Sequence, residues 1–167
     1  NNALFEGGYY LEISENYKFK KPLIVYNQFL DNLKNKIVNN KNLIVLNKNT
    51  NLDLIELNSD ISKNNFIQNN QTIIKIDENS SLKNYTIQNC KSNGFYYKFI
   101  KCILSQKSNY EDYIFSSGLK FNKVEEEVDI CGEEANCTIQ SALFLDSNVH
   151  QEIKTHLNHL KPNCTSY

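Results

Sequence analysis

The sequence predicts an α+β domain: a mainly antiparallel, sandwich-like β-sheet with one helix near each end of the chain. Three observations carry that prediction. Apolar residues recur at four-residue spacing over 22–38 and again over 148–161, as they do on one face of a helix. Between those segments lie short apolar or alternating runs of strand length. Clusters of Asn, Ser, Asp and Gly separate the runs, as turns separate strands.

The elements follow in order. Gly7-Gly8 precedes Tyr9–Ile13, a short strand. Pro22 stands where a first helical residue tolerates proline. Val25, Phe29, Leu33 and Ile37 continue at i, i+4, i+8 and i+12, flanked by Tyr26 and Leu30, and Asn39-Asn40-Lys41-Asn42 closes the helix. Strand runs are then expected at 43–46, 52–57, 72–76, 85–88, 95–104, 119–130 and 137–145. Asn93-Gly94 is a favoured two-residue hairpin turn between 84–90 and 95–104. A second hairpin is expected about 131–137. The Asn-rich stretch 58–71 reads as a long surface loop. At the end, Val149, Ile153, Leu157 and Leu160 form the second helical stripe, with Asn148 and Gln151 as its capping box and Pro162 as its stop. No internal repeat is evident. Residues 1–167 read as a single domain, or as one domain of a longer extracellular protein.

Composition narrows the function. The chain carries 18 lysines and no arginine against 19 acids, a net charge of −1. That balance gives no reason to expect nucleic-acid binding. No apolar run reaches the roughly 20 residues of a membrane span, so no membrane insertion is expected. Any signal peptide is expected to have been removed, since no basic segment followed by an apolar stretch opens the chain. Without a guanidinium fork, an arginine clamp on carboxylate or phosphate is excluded. Charge is uneven: residues 61–110 carry an excess of lysine and residues 111–167 an excess of acid. Asparagine occurs 27 times, and Asn, Lys, Ile, Tyr and Phe all use A/T-rich codons. In this the chain resembles the proteins of AT-rich protozoan parasites. It lacks the C-x-C pair of the six-cysteine surface-antigen domains found in malaria parasites.

Five cysteines, Cys90, Cys102, Cys131, Cys137 and Cys164, lack zinc-finger spacing and read as disulfide candidates in an oxidising compartment. Cys131 and Cys137 close a small loop and are the expected pair. Across an Asn93-Gly94 hairpin, Cys90 and Cys102 would lie about 16 Å apart, too far to bond. The alternative is free thiols in an intracellular domain. Asn70, Asn79, Asn84, Asn136 and Asn163 open sequons and are glycosylation candidates, although chance supplies about three in so Asn-rich a chain.

Catalytic and cofactor motifs are absent, so neither an enzyme nor a cofactor is expected. Glu152, His156 and His159 would share one face of the last helix, a weak metal site beside the simpler reading of a solvated surface. Phe95–Lys101 alternates aromatics with lysine, which suits a base-stacking platform or simply a packed strand. Glu125, Glu127, Asp129, Glu133 and Glu134 are the candidate partner-binding residues, on an acidic edge strand beside a closed tip. The expected function is thus a secreted or cell-surface recognition module binding a host or parasite surface protein. The alternative is an enzyme-associated domain or inhibitory prodomain.

Overall fold

The computed structural model describes residues 4–60 and 65–167. Its strands are β1 (Tyr10–Ile13), β2 (Leu23–Phe29), β3 (Ile37–Leu46), β4 (Asn51–Asp60), β5 (Ile67–Ile76) and β6 (Ser81–Cys90). They continue with β7 (Phe95–Leu104), β8 (Asn109–Gly118), β9 (Phe121–Ile130), β10 (Asn136–Phe144), β11 (His150–His159) and β12 (Thr165–Ser166). Odd-numbered strands form one six-stranded sheet and even-numbered strands the other. Consecutive strands never pair. Each strand pairs in parallel with the one two places on, so the chain winds as a two-sheet β-solenoid. Ile37, Ile67, Phe95, Phe121 and His150 stack in register, which sets coils of 26 to 30 residues along that row.

Alternation along each strand builds this fold. In β9, Asn122, Val124, Glu126, Val128 and Ile130 are buried, while the residues between them face outward. Leu46, Ile76, Leu104 and Ile130 of the odd sheet meet Leu52, Leu82, Tyr110 and Cys137 of the even sheet in one apolar cluster. This cluster lies against the turn that leads from the odd sheet to the even one. Stacking parallel strands buries on its neighbours the face that a lone coil would expose.

That turn is the repeat the sequence conceals. Asn16, Asn49, Asn79, Lys107, Glu134 and Asn163 all adopt left-handed backbone with φ between 55° and 65°. Asparagine tolerates that region better than most residues, which accounts for its use at four of the six turns. Thr50, Ser80, Ser108 and Ala135 follow these residues and are fully buried. Backbone amides continue the ladder through the turns, with Asn49 donating to Glu78 O at 3.0 Å and Asn79 to Gln106 O at 3.1 Å.

Both expected helices are therefore strands. Residues 22–38 form β2, a 3₁₀ turn at Asp31–Leu33 and the start of β3, while 148–161 contains β11. A four-residue spacing returns to the same side in either geometry, because four is even in a strand and close to one turn in a helix. The antiparallel, sandwich-like sheet is replaced by parallel pairing. Asn93-Gly94 joins the two sheets instead of closing a hairpin, and an added Cβ on Gly94 would sit 2.3 Å from the Phe66 ring. The 131–137 segment is the recurring turn. Most of the expected 58–71 loop belongs to β4 and β5; residues 61–64 lie outside the described residues.

Candidate functional site

Two neighbourhoods hold the chemistry of this chain, one inside the solenoid and one on its turn edge. Inside, the middle of the core is polar. Lys98 projects inward from β7 and donates to both carboxylate oxygens of Glu56 on β4, each at 2.9 Å. Tyr110 on β8 donates to Glu126 on β9 at 2.6 Å, and Asn84 donates to Asp112 at 2.9 Å. The second carboxyl oxygens of Asp112 and Glu126 receive no hydrogen bond from a neighbouring amide, hydroxyl or ammonium, and the two carboxyl groups lie within hydrogen-bonding reach of each other. Three buried carboxyl groups thus share one buried ammonium.

Electrostatics resolve that imbalance by protonation. Burial pushes the Asp112 carboxyl up to about 6, with Lys98 and Asn84 pulling the other way. Burial, then the charge of Asp112, raises Glu126 well above the carboxylate range. Burial alone would lower Lys98, but the attraction of Glu56 outweighs it and the ammonium stays protonated. Beyond this cluster a neutral network fills the core: Asn122 donates to Ser116 and to Gln151, both at 2.9 Å, and Gln151 donates to Gly118 O at 2.6 Å.

The five cysteines are free, so the expected disulfides, including Cys131–Cys137, are not present. The turn explains the failure of that pair: Glu133 and Glu134 are both exposed there, which shifts the alternation by one residue, so Cys137 points into the core while Cys131 stands exposed. Cys90, Cys102 and Cys137 are sealed. Burial pushes Cys90 and Cys137 up to about 12 and Cys102 well above its ordinary value, which keeps them as neutral thiols. Cys131 is exposed and Cys164 partly so. Cys164 lies one coil further on, with its sulfur 3.1 Å from Gly132 O, beside Cys131. Two accessible thiols therefore share one edge of the last coils.

The other anticipated residues are dispersed. Glu125, Glu127 and Asp129 lie on β9, which is an internal strand and not an edge. They pair with lysines: Lys101 is 2.7 Å from Glu127 and 2.6 Å from Asp129, and Lys154 is 3.6 Å from Glu125. Glu133 and Glu134 occupy the exposed turn, with Glu134 3.9 Å from Lys107. Glu152 and His156 face outward from β11, but His159 has the opposite parity and contacts Ser166 at 2.9 Å. Among the described residues no group of three His, Cys, Asp or Glu side chains converges as a metal site. Asn70 and Asn84 are buried in the core network, so neither can accept a glycan in this fold. Asn79, Asn136 and Asn163 are exposed at the recurring turn. Phe95, Tyr97 and Phe99 face outward while Tyr96 and Lys98 face inward, so the supposed stacking platform is split between two sides.

Sequence reading missed Glu56, Lys98, Asp112 and Glu126. Their signal was parity: Lys98 shares its phase with Tyr96, Ile100, Cys102 and Leu104, the buried side of β7.

The family model for the SufBD core domain of SUF system FeS cluster assembly matches residues 29–167. The chain belongs to that family. No curated protein and no solved structure gives a significant match. Membership in the SufBD core family overturns the secreted, disulfide-bonded adhesion module, and with it the host or parasite surface partner. The SUF system is intracellular machinery, so the extracellular placement is corrected as well. The free thiols of this SufBD core agree with that correction. A protein partner stands, since SufBD proteins work in a complex with other components of the SUF system.

Proposed function

We propose that the chain is a non-enzymatic scaffold subunit of iron–sulfur cluster assembly. In this reading it contributes thiolate ligands to a nascent cluster, its cargo, whose coordination a partner protein of the SUF system completes. The observation that carries this reading is the pair of accessible thiols, Cys131 and Cys164, on one edge of consecutive coils. Iron–sulfur clusters are held by about four thiolates, so two from this chain leave ligands for the partner to supply. The sealed thiols are held neutral and cannot ligate without opening the core.

Anaerobic assembly with ferrous iron and sulfide tests the idea, read by visible absorption and Mössbauer spectroscopy. The chain alone should retain little cluster, and the chain with its SUF partners should retain much more. Replacing Cys131 and Cys164 together by Ser should remove most of that gain, whereas Cys90→Ser should not. Undiminished loading in the Cys131→Ser/Cys164→Ser variant would sink the assignment.

A further inference from the structure

The turns that lead from the even sheet back to the odd one differ in length. Leu119 and Lys120 alone join β8 to β9, whereas Lys91–Gly94 and Leu145–Val149 join the strands of the coils on either side. The short turn leaves a notch of about 920 Å³ between the two longer ones. Gly118 permits that tight course: its φ is 76°, and an added Cβ would sit 1.5 Å from Cys90 O. A second hollow of about 470 Å³ continues the notch toward β3 and shares Asn65, Asn93 and Lys120 with it. Together they form one groove along the stack, from Lys36 at one end to Val149 at the other. It crosses the coils of β3, β5, β7, β9 and β11, a span of about 19 Å at roughly 4.8 Å per coil.

Charge and apolar surface together define what fits this groove. Lys36, Lys91 and Lys120 are exposed along it, and none of them is ion-paired among the described residues. The neighbouring acids are already engaged: Asp60 accepts from the backbone amides of Lys91 and Ser92, and Asp146 from that of Ser147 at 2.6 Å. Beside the lysines runs an apolar row in which Ile37 is 58% exposed, Ile67 41% and Phe95 39%. The Phe95 ring stacks on Phe121 at 5.9 Å, and the Lys120 ammonium lies 5.6 Å from the Phe95 ring centre. We propose that this groove binds an extended acidic segment of a partner protein, with carboxylates against the lysines and apolar side chains against Ile67 and Phe95. The span holds about six residues at roughly 3.3 Å each. Asn35, Asn65, Asn93 and Asn148 are exposed along its length, and their side-chain amides can donate to and accept from a peptide backbone. A small anion would meet the lysines but leave the apolar row uncovered. The inference stands apart from the cluster-assembly reading, because Cys131 and Cys164 lie on the opposite turn edge.

Fluorescence anisotropy with a labelled octapeptide that alternates Glu with Leu and Phe tests it, using the 167-residue chain in reducing buffer. The peptide should bind with a dissociation constant on the order of 10 µM. Binding should weaken several-fold between about 50 and about 500 mM salt. The same peptide with Lys in place of Glu should not bind, and an all-Glu octapeptide should bind more weakly. Lys91→Glu/Lys120→Glu should weaken the acidic peptide by about tenfold or more with unchanged far-UV circular dichroism, since both charges are removed and reversed. Lys161→Glu on the opposite turn edge should bind as wild type does. If charge reversal impairs folding, Lys91→Gln/Lys120→Gln gives the same reading. No binding of the acidic peptide to the wild-type chain would overturn the proposal. So would equal binding of the Lys peptide or the all-Glu peptide, or a folded groove variant that binds undiminished.

Discussion

Lys98 reaches across the core to Glu56, while Asp112 and Glu126 have no cation of their own. Lys98→Met would leave Glu56 buried and unpaired, a change that costs about 3–5 kcal/mol. Urea unfolding should show that loss, and Glu56→Leu added to Lys98→Met should recover part of it, because an apolar pair carries no desolvation penalty. Asp112 answers to pH with a defined sign. Its folded-state value is raised to about 6 from an ordinary 3.8, so the folded protein holds a proton that the unfolded chain has released. The stabilisation from this group is complete below the unfolded value and is lost as pH rises through about 6. Glu126 shifts in the same direction, for the burial and charge reasons already given. The wild-type melting temperature should fall as pH rises from about 3 to 7, with a full swing from Asp112 on the order of 3 kcal/mol. In Asp112→Asn that slope should largely vanish; an identical slope would show that other groups carry it.

Among the elements, the recurring turn is the part most sensitive to side-chain volume. Gly132 packs so closely on the preceding coil that an added Cβ would sit 2.0 Å from Gln106 N. Gly132→Ala must displace backbone, and a loss of about 2–4 kcal/mol in chemical denaturation is expected. Asn79 occupies the same turn one position before the buried serine, with φ of 56°. Asn79→Gly should be close to neutral, because glycine adopts left-handed backbone without penalty. Asparagine also serves as a ladder between coils: Asn27 donates to Asn58 at 3.1 Å, Asn69 to Asn39 at 2.8 Å, and Asn49 to Asn16 at 3.0 Å. Codon bias supplies asparagine in abundance, and parallel stacking gives these copies partners of the same kind.

Across the whole molecule, each coil touches mainly its neighbours, so stability is a sum of local interfaces and not the property of one central core. The middle coils, β5 to β8, have a neighbour on both sides and bury every inward side chain. β11 is the outermost strand of its sheet and remains largely half-buried or exposed. Amide hydrogen exchange should therefore be slowest in β5–β8 and increase toward β1, β11 and β12. Uniform protection from end to end would mean that the solenoid opens only as a unit.

Short-range pattern determined a good deal by itself. Seven strand runs between Leu43 and Leu145 follow from alternation and from polar breaks, and nearly all of their residues fall within observed strands, but β8 (Asn109–Gly118) falls in none of them. Tyr9–Ile13 likewise overlaps β1. The absence of an arginine clamp and of zinc-finger cysteine spacing is also a property of the sequence alone. Pairing was beyond its reach. An alternating strand is equally content beside its sequence neighbour or beside one two strands away, and only the stacked turns at Asn49, Asn79, Lys107 and Glu134 select the second arrangement. Their recurrence is masked by coils of unequal length and by the change from Asn to Lys and Glu. For the same reason, the destination of each cysteine and each buried charge was decided in three dimensions. Cys131 and Cys137 are six residues apart yet lie on opposite sides of the wall, whereas Lys98 and Glu56 are 42 residues apart and touch. Sequence distance measures neither relation, because the solenoid brings residues together by coil and parity.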